Sequence, residues 1–187
     1  MVDYGLKDKV VIITGANNPQ GIGAASAVAF AREGAKLALV YKKILRDYDD
    51  HKTDRNGPDR YFKANAGDTS IVERKLKDMN ADCIVLESDI SNEDSVNEIY
   101  SAVIKRYGKI DVLINNAADG DMDGIDTIER ITQTVIDDTF AVNVRGTILM
   151  IREFIRHRGD YGRIINFPQI HHRFLQGRSP MEQVRQP

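Results

Sequence analysis

The chain has 187 residues, 42% of them apolar and 29% charged, with a formal net charge of −2. That length suits one domain with a proper core, and so mild an acidity gives no reason to expect nucleic acid or an anionic membrane as a partner. No apolar run approaches the ~20 residues that span a bilayer, and the opening residues lack the basic-then-apolar pattern of a secretory leader. Cys83 is the lone cysteine, so no internal disulfide forms; a reducing cytoplasm is the expected setting, with Cys83 a small core residue.

Val10 to Ile13 are four apolar, β-branched residues and read as a strand buried on both faces. Thr14-Gly15 ends it, and Gly21-Ile22-Gly23 opens a helix of small residues that stops at Gly34. A strand, a glycine-rich turn and a helix N-terminus make an anion site, because the dipole is positive there and missing Cβ atoms admit a pyrophosphate. Lys36 to Tyr41 reads as the second strand. Residues 42–69 are polar and charged, carry Asn56-Gly57-Pro58, and read as a long surface excursion, either a functional lid or a tolerated insertion.

Asp68 or Thr69 can cap a helix to about Met79, with Ile71, Val72, Leu76 and Met79 on one face. Cys83 to Glu87 is the third strand, and Ser91 starts a helix to Tyr107 with Val96, Ile99, Val103 and Ile104 inward. Ile110 to Ile114 is the fourth strand, followed by Asn115-Asn116-Ala117-Ala118 and a loop from Asp119 to Asp126. A long helix over roughly Ile128 to His157 and a fifth strand, Arg163 to Phe167, complete the pattern. Strands alternating with helices imply an α/β fold, a doubly wound parallel sheet of order 3-2-1-4-5, with its ligand crevice beyond the carboxyl ends of the strands. The polar clusters at Thr14–Gly23, Tyr41–Lys43, Asp89 and Asn115–Ala118 all fall at such ends.

Those motifs in that order resemble the short-chain dehydrogenase/reductase family, in the type that includes ketoacyl reductases. The resemblance covers residues 6–167 and rests on Thr14-Gly15, Gly21-Ile22-Gly23, Asp89, Asn115-Asn116-Ala117-Ala118 and Asn143. It implies a Rossmann-like NAD(P)-binding domain over residues 1–167. Gly15, Asn18, Gly21, Ile22 and Gly23 would wrap the pyrophosphate, and Asp89 and the Ile90 backbone would meet the adenine. Asn116, Ala117 and Ala118 would line the nicotinamide-side ribose. Tyr41 and Lys42, with Lys43, stand where an NAD enzyme usually carries a carboxylate, which favours NADP, with NAD the alternative. Three departures stand out: two extra residues within Asn17 to Gln20, Ala118 in place of a glycine, and the long stretch 42–69.

The family reduces a small carbonyl or oxidises an alcohol with a Tyr, a Lys four residues on, a Ser and an Asn. Asn143 matches the Asn. No Lys stands four places after Tyr41, Tyr61, Tyr107 or Tyr161, and Pro168-Gln169 stand where the Ser belongs. The expectation is a chain whose catalytic half is absent, whose family pairing into homo-oligomers is compromised, and whose activity is negligible. A non-catalytic dinucleotide-binding module or sensor is the alternative. Residues 168–187 show no clear period and read as a disordered tail, and His171-His172 as a chance pair rather than a metal site. Codons for that tail can be chosen so that a shifted frame reads T-D-S-S-Q-V-F-A-G-Q-I-T-Y-G-A-S-K-A-T. A one-base frameshift from Pro168 onward is therefore expected.

Overall fold

The computed structural model describes residues 3–54, 58–119 and 131–167. Its central strand, β1 (Val10–Thr14), is buried along its whole length, which explains why its apolar residues do not alternate with polar ones. β1 pairs in parallel with β2 (Lys36–Tyr41) on one side and with β4 (Val112–Asn115) on the other. β3 (Cys83–Glu87) extends the sheet beyond β2, and β5 (Arg163–Asn166) beyond β4. The order is 3-2-1-4-5, as the alternation of elements leads one to expect.

Two helix layers bury the two faces. Val11, Ile13, Leu37 and Leu39 pack against Ala24 and Ala27 of α1 (Ile22–Arg32) and against Val72 and Leu76 of α3 (Ser70–Asp78). On the opposite face, Val10, Ile12, Ala38 and Val40 meet Val96, Ile99 and Val103 of α4 (Glu93–Tyr107), together with Met150 and Phe154 of α6 (Thr147–His157). Each buried Val, Leu, Ile, Met or Phe among these contributes about 1.5–3 kcal/mol on leaving water, the alanines less, so the sheet holds the strand ends rigidly. β5 differs: all four of its residues are exposed.

Several expectations need correction. The excursion after β2 is not structureless, because it contains a 3₁₀ turn at Asp50–Lys52 and the helix α2 (Pro58–Ala66). Pro58 reads as a breaker, yet at the first helical position its missing N–H costs nothing. Ile71 is 52% exposed, and the inward face of α3 is Val72 and Leu76, four residues apart. α4 starts later than Ser91; its cap is Asn92, whose side chain accepts from the Ser95 N–H at 3.0 Å. Tyr100 is fully buried on α4 because its hydroxyl donates to the Met150 carbonyl at 2.6 Å. β4 begins at Val112, not Ile110. Cys83 is only partly buried on β3, and burial pushes its thiol pKa up.

The long helix near the C-terminal side is interrupted. α5 (Gln133–Phe140), capped by Thr132, passes into a π-helical turn at Ala141–Gly146 before α6 resumes. Gly146 is required there: a Cβ would lie 2.9 Å from the carbonyl oxygen of Ile90. The expected start of this helix at Ile128, most of the Asp119–Asp126 loop, and the tail from Pro168, with the frameshift expected there, all lie outside the described residues.

Candidate functional site

The carboxyl ends of β1, β2 and β4 and the loop after β3 surround a cavity of about 740 Å³. Gly15, Asn18, Gly21 and Ile22 line it from the glycine turn, Tyr41 and Lys42 from the end of β2, Asp89 and Ile90 from the end of β3, and Asn116, Ala117 and Ala118 from the end of β4. Gly23 stands behind this lining. A Cβ on Gly23 would meet the Gly15 carbonyl oxygen at 2.4 Å and Asn116 Nδ2 at 2.8 Å, so no side chain fits. Gly15 itself has φ +68°, a conformation that favours glycine, and a Cβ there would sit 2.8 Å from the Ala117 Cα.

Hydrogen bonds between strand ends fix this geometry. Thr14 Oγ1 accepts from the backbone N–H groups of Asn116 at 3.0 Å and Ala117 at 2.9 Å. The Asn116 side chain donates to the Thr14 and Gly15 carbonyls at 3.0 and 2.9 Å. Within the turn, Asn18 Oδ1 accepts from the Gln20 N–H at 3.0 Å, and the Asn18 carbonyl from the Gly21 N–H at 2.9 Å. No side chain caps α1, whose N-cap Gly21 and first residue Ile22 line the cavity. Its positive dipole end and first-turn amides suit a phosphate. The glycine cradle, the uncapped helix and the cavity size together fit a dinucleotide.

The excursion after β2 builds one wall. Arg46, Tyr61 and Asn65 line the cavity, and Arg46 reaches Asp119 after β4 at 3.4 Å. The buried Asn17 donates to the carbonyls of Asn65 and Gly67, both at 3.0 Å. Burial and the charge of Asp119 raise the Tyr61 phenol pKa, and Arg46 partly offsets them.

At the ends of β2 and β3, charges pair across the sheet. Lys42 Nζ lies 2.6 Å from Asp89 Oδ2, and Lys43 Nζ 3.3 Å from Glu87 Oε2, which also accepts from the Tyr41 hydroxyl at 3.0 Å. Both lysines thus have carboxylate partners that their own neighbourhood in the chain does not reveal. Burial tends to raise the Asp89 pKa, but Lys42 and the Ser91 hydroxyl and N–H outweigh it and hold it below the ordinary range. Burial and Glu87 raise the Tyr41 phenol.

Asn143 sits in the π-helical turn and does not line the cavity. Its side chain clamps the backbone of Asp119, accepting from the N–H and donating to the carbonyl, each at 2.8 Å. One Tyr-Lys pair at four-residue spacing escapes the sequence reading: Tyr48 and Lys52, in the excursion. Neither lines the cavity, and Lys52 pairs with Asp49 at 3.0 Å, so the spacing places no proton-handling pair in the site. Among the described residues there is no cluster of His, Cys, Asp and Glu fit to hold a metal, and no helix long and apolar enough to cross a membrane.

Residues 55–169 match the family model described as short chain dehydrogenase. The glucose and ribitol dehydrogenase of Daucus carota is 30% identical over 166 residues, which cover 88% of this chain and 50% of that protein. A short chain dehydrogenase from Burkholderia cenocepacia in complex with NADP superposes with a TM-score of 0.65 at 27% identity, over 86% of this chain and 55% of that one. The NADH-dependent reductase A1-R′ complexed with NAD gives a TM-score of 0.61 at 28% identity, over 83% and 54%. The chain spans about half the length of the curated relatives it matches.

Proposed function

Because the chain belongs to the short chain dehydrogenase family, we propose that its cavity holds a nicotinamide dinucleotide and that residues 1–167 form the binding domain. The observation that carries this reading is convergence: Gly15, Lys42, Asp89 and Asn116, from four strand ends, line one cavity beside the uncapped N-terminus of α1. Gly15, Asn18, Gly21 and Ile22 would hold the pyrophosphate, Asp89 and Ile90 the adenine, and Asn116 to Ala118 the second ribose. Gly23 leaves the turn room to close on the ligand. NADP is the preferred form and NAD the weaker one, since β2 ends in Tyr41-Lys42-Lys43 with no carboxylate of its own.

When bound, such a cofactor supplies hydride exchange with the carbon of a small carbonyl or alcohol. The 187-residue polypeptide is expected to bind without turnover, because no Tyr lining the cavity has a Lys four residues on; a non-catalytic binding module or sensor is the alternative reading, which binding without turnover favours. A cytoplasmic setting and a compromised pairing into homo-oligomers belong to this proposal too. Titrating NADPH and NADH by fluorescence while assaying generic ketones tests it. Saturable binding without NADPH consumption is expected. No binding of either nucleotide overturns the assignment, and hydride transfer by this polypeptide overturns the claim of inactivity.

A further inference from the structure

Lys42 and Lys43 are neighbours in the chain and both line the cavity, yet their partners differ in kind. Asp89 grips Lys42 at 2.6 Å and is itself fixed by the Ser91 N–H at 2.9 Å and the Ser91 hydroxyl at 2.7 Å. A carboxylate so organised does not release its ammonium group readily. Lys43 lies 3.3 Å from Glu87, whose side chain is 51% exposed and shared with the Tyr41 hydroxyl. Both pairs are about half-exposed, so the separation decides between them: at 3.3 Å against 2.6 Å, the Lys43 pair is the looser and exchanges its partner the more readily. Glu87 does not line the cavity; it stands beyond Tyr41, its register partner across β2 and β3.

Resting on the reading of the cavity as a dinucleotide site, we propose that Lys43 rather than Lys42 reads the ribose 2′-phosphate, and that Glu87 sets the strength of that preference by holding Lys43. A 2′-phosphate competes with the Glu87 carboxylate for the Lys43 ammonium group, while a 2′-hydroxyl does not. Glu87 is thus a positioning residue for cofactor choice and touches no part of the ligand. Its charge, two strands from the glycine turn, lowers NADP affinity and leaves NAD affinity nearly untouched.

The test is the ratio of NADPH to NADH affinity, read by fluorescence titration of the full chain and its variants. Glu87→Gln keeps an acceptor for Tyr41 but frees Lys43, and raises the ratio on the order of tenfold. Lys43→Gln brings the ratio close to one. Lys42→Gln moves both affinities together and leaves the ratio within about twofold. In the double variant Glu87→Gln/Lys43→Gln the ratio falls back to that of Lys43→Gln alone, because the two residues act as one unit. An unchanged ratio in Glu87→Gln with both nucleotides still bound overturns the proposal, as does a Glu87→Gln effect that persists without Lys43, or loss of preference in Lys42→Gln. Absence of binding in the unaltered chain overturns both this proposal and the dinucleotide assignment, and is told apart because no variant then has a ratio to measure.

Discussion

Asn17 is joined to Asn65 across 48 residues of chain by a 3.0 Å hydrogen bond from its side-chain amide to the Asn65 carbonyl. A second bond, also 3.0 Å, reaches Gly67. Asn17 lies in the lengthened glycine turn and Asn65 on the helix of the excursion, so two departures from the family pattern lock onto each other. Asn17→Ala leaves two carbonyls without that donor, at a cost of about 1–3 kcal/mol. The loss is local: hydrogen exchange quickens at Ile44, whose N–H bonds the Asn65 carbonyl, while β1 amides keep their protection.

Gly23→Ala tests the cradle. The new methyl group must displace the Gly15 carbonyl or the Asn116 amide, both under 3 Å away. Overpacking of this kind costs about 1–3 kcal/mol. The expected result is a lower melting temperature together with at least a tenfold weaker NADPH titration, since the displaced carbonyl belongs to the turn itself.

Acid stability is predicted to depend on Asp111. Its carboxylate accepts from the Val10 N–H at 2.8 Å and pairs with Lys109 at 2.9 Å and Lys9 at 3.4 Å. Burial tends to raise its pKa, but those partners prevail and lower it below that of an unfolded aspartate. The unfolded chain therefore binds the extra proton first as pH falls. The stabilisation is fully present above the ordinary aspartate value of about 3.9 and is lost as pH drops through the lowered native value. Denaturant midpoints measured across that range should fall for the unaltered chain and flatten for Asp111→Asn.

Thr14→Val keeps the shape of a buried side chain and removes the acceptor shared by the Asn116 and Ala117 N–H groups. Two unpaired donors cost about 2 kcal/mol or more. Thermal unfolding should register that loss, and dinucleotide affinity should fall several-fold because β1 and the loop after β4 no longer share a tie.

The strands were legible because Val10 to Ile13 and Leu37 to Val40 are apolar without interruption, and a strand buried on both faces leaves that trace. The strand-end polar clusters were legible for the same reason: each sits where an apolar run stops. α2 was hidden because Pro58 marks a breaker and a helix start alike. Ile71 was misplaced because one apolar residue beside Val72 cannot say which of the two faces inward. The partners of Lys42 and Lys43 were out of reach altogether. They depend on the register that sets Tyr41 opposite Glu87, a pairing of residues 46 positions apart.

Asn143 gives both ends of its amide to the backbone of Asp119, and those bonds leave the side chain little to offer anything else. The π-helical turn is consequently tied to the chain just beyond β4 at Asp119. An Asn143→Ala protein would loosen its grip on nucleotide before any proton step could be examined. In this chain the replacement would act first on the Asp119 backbone, and through it on the wall that Asp119 shares with Arg46.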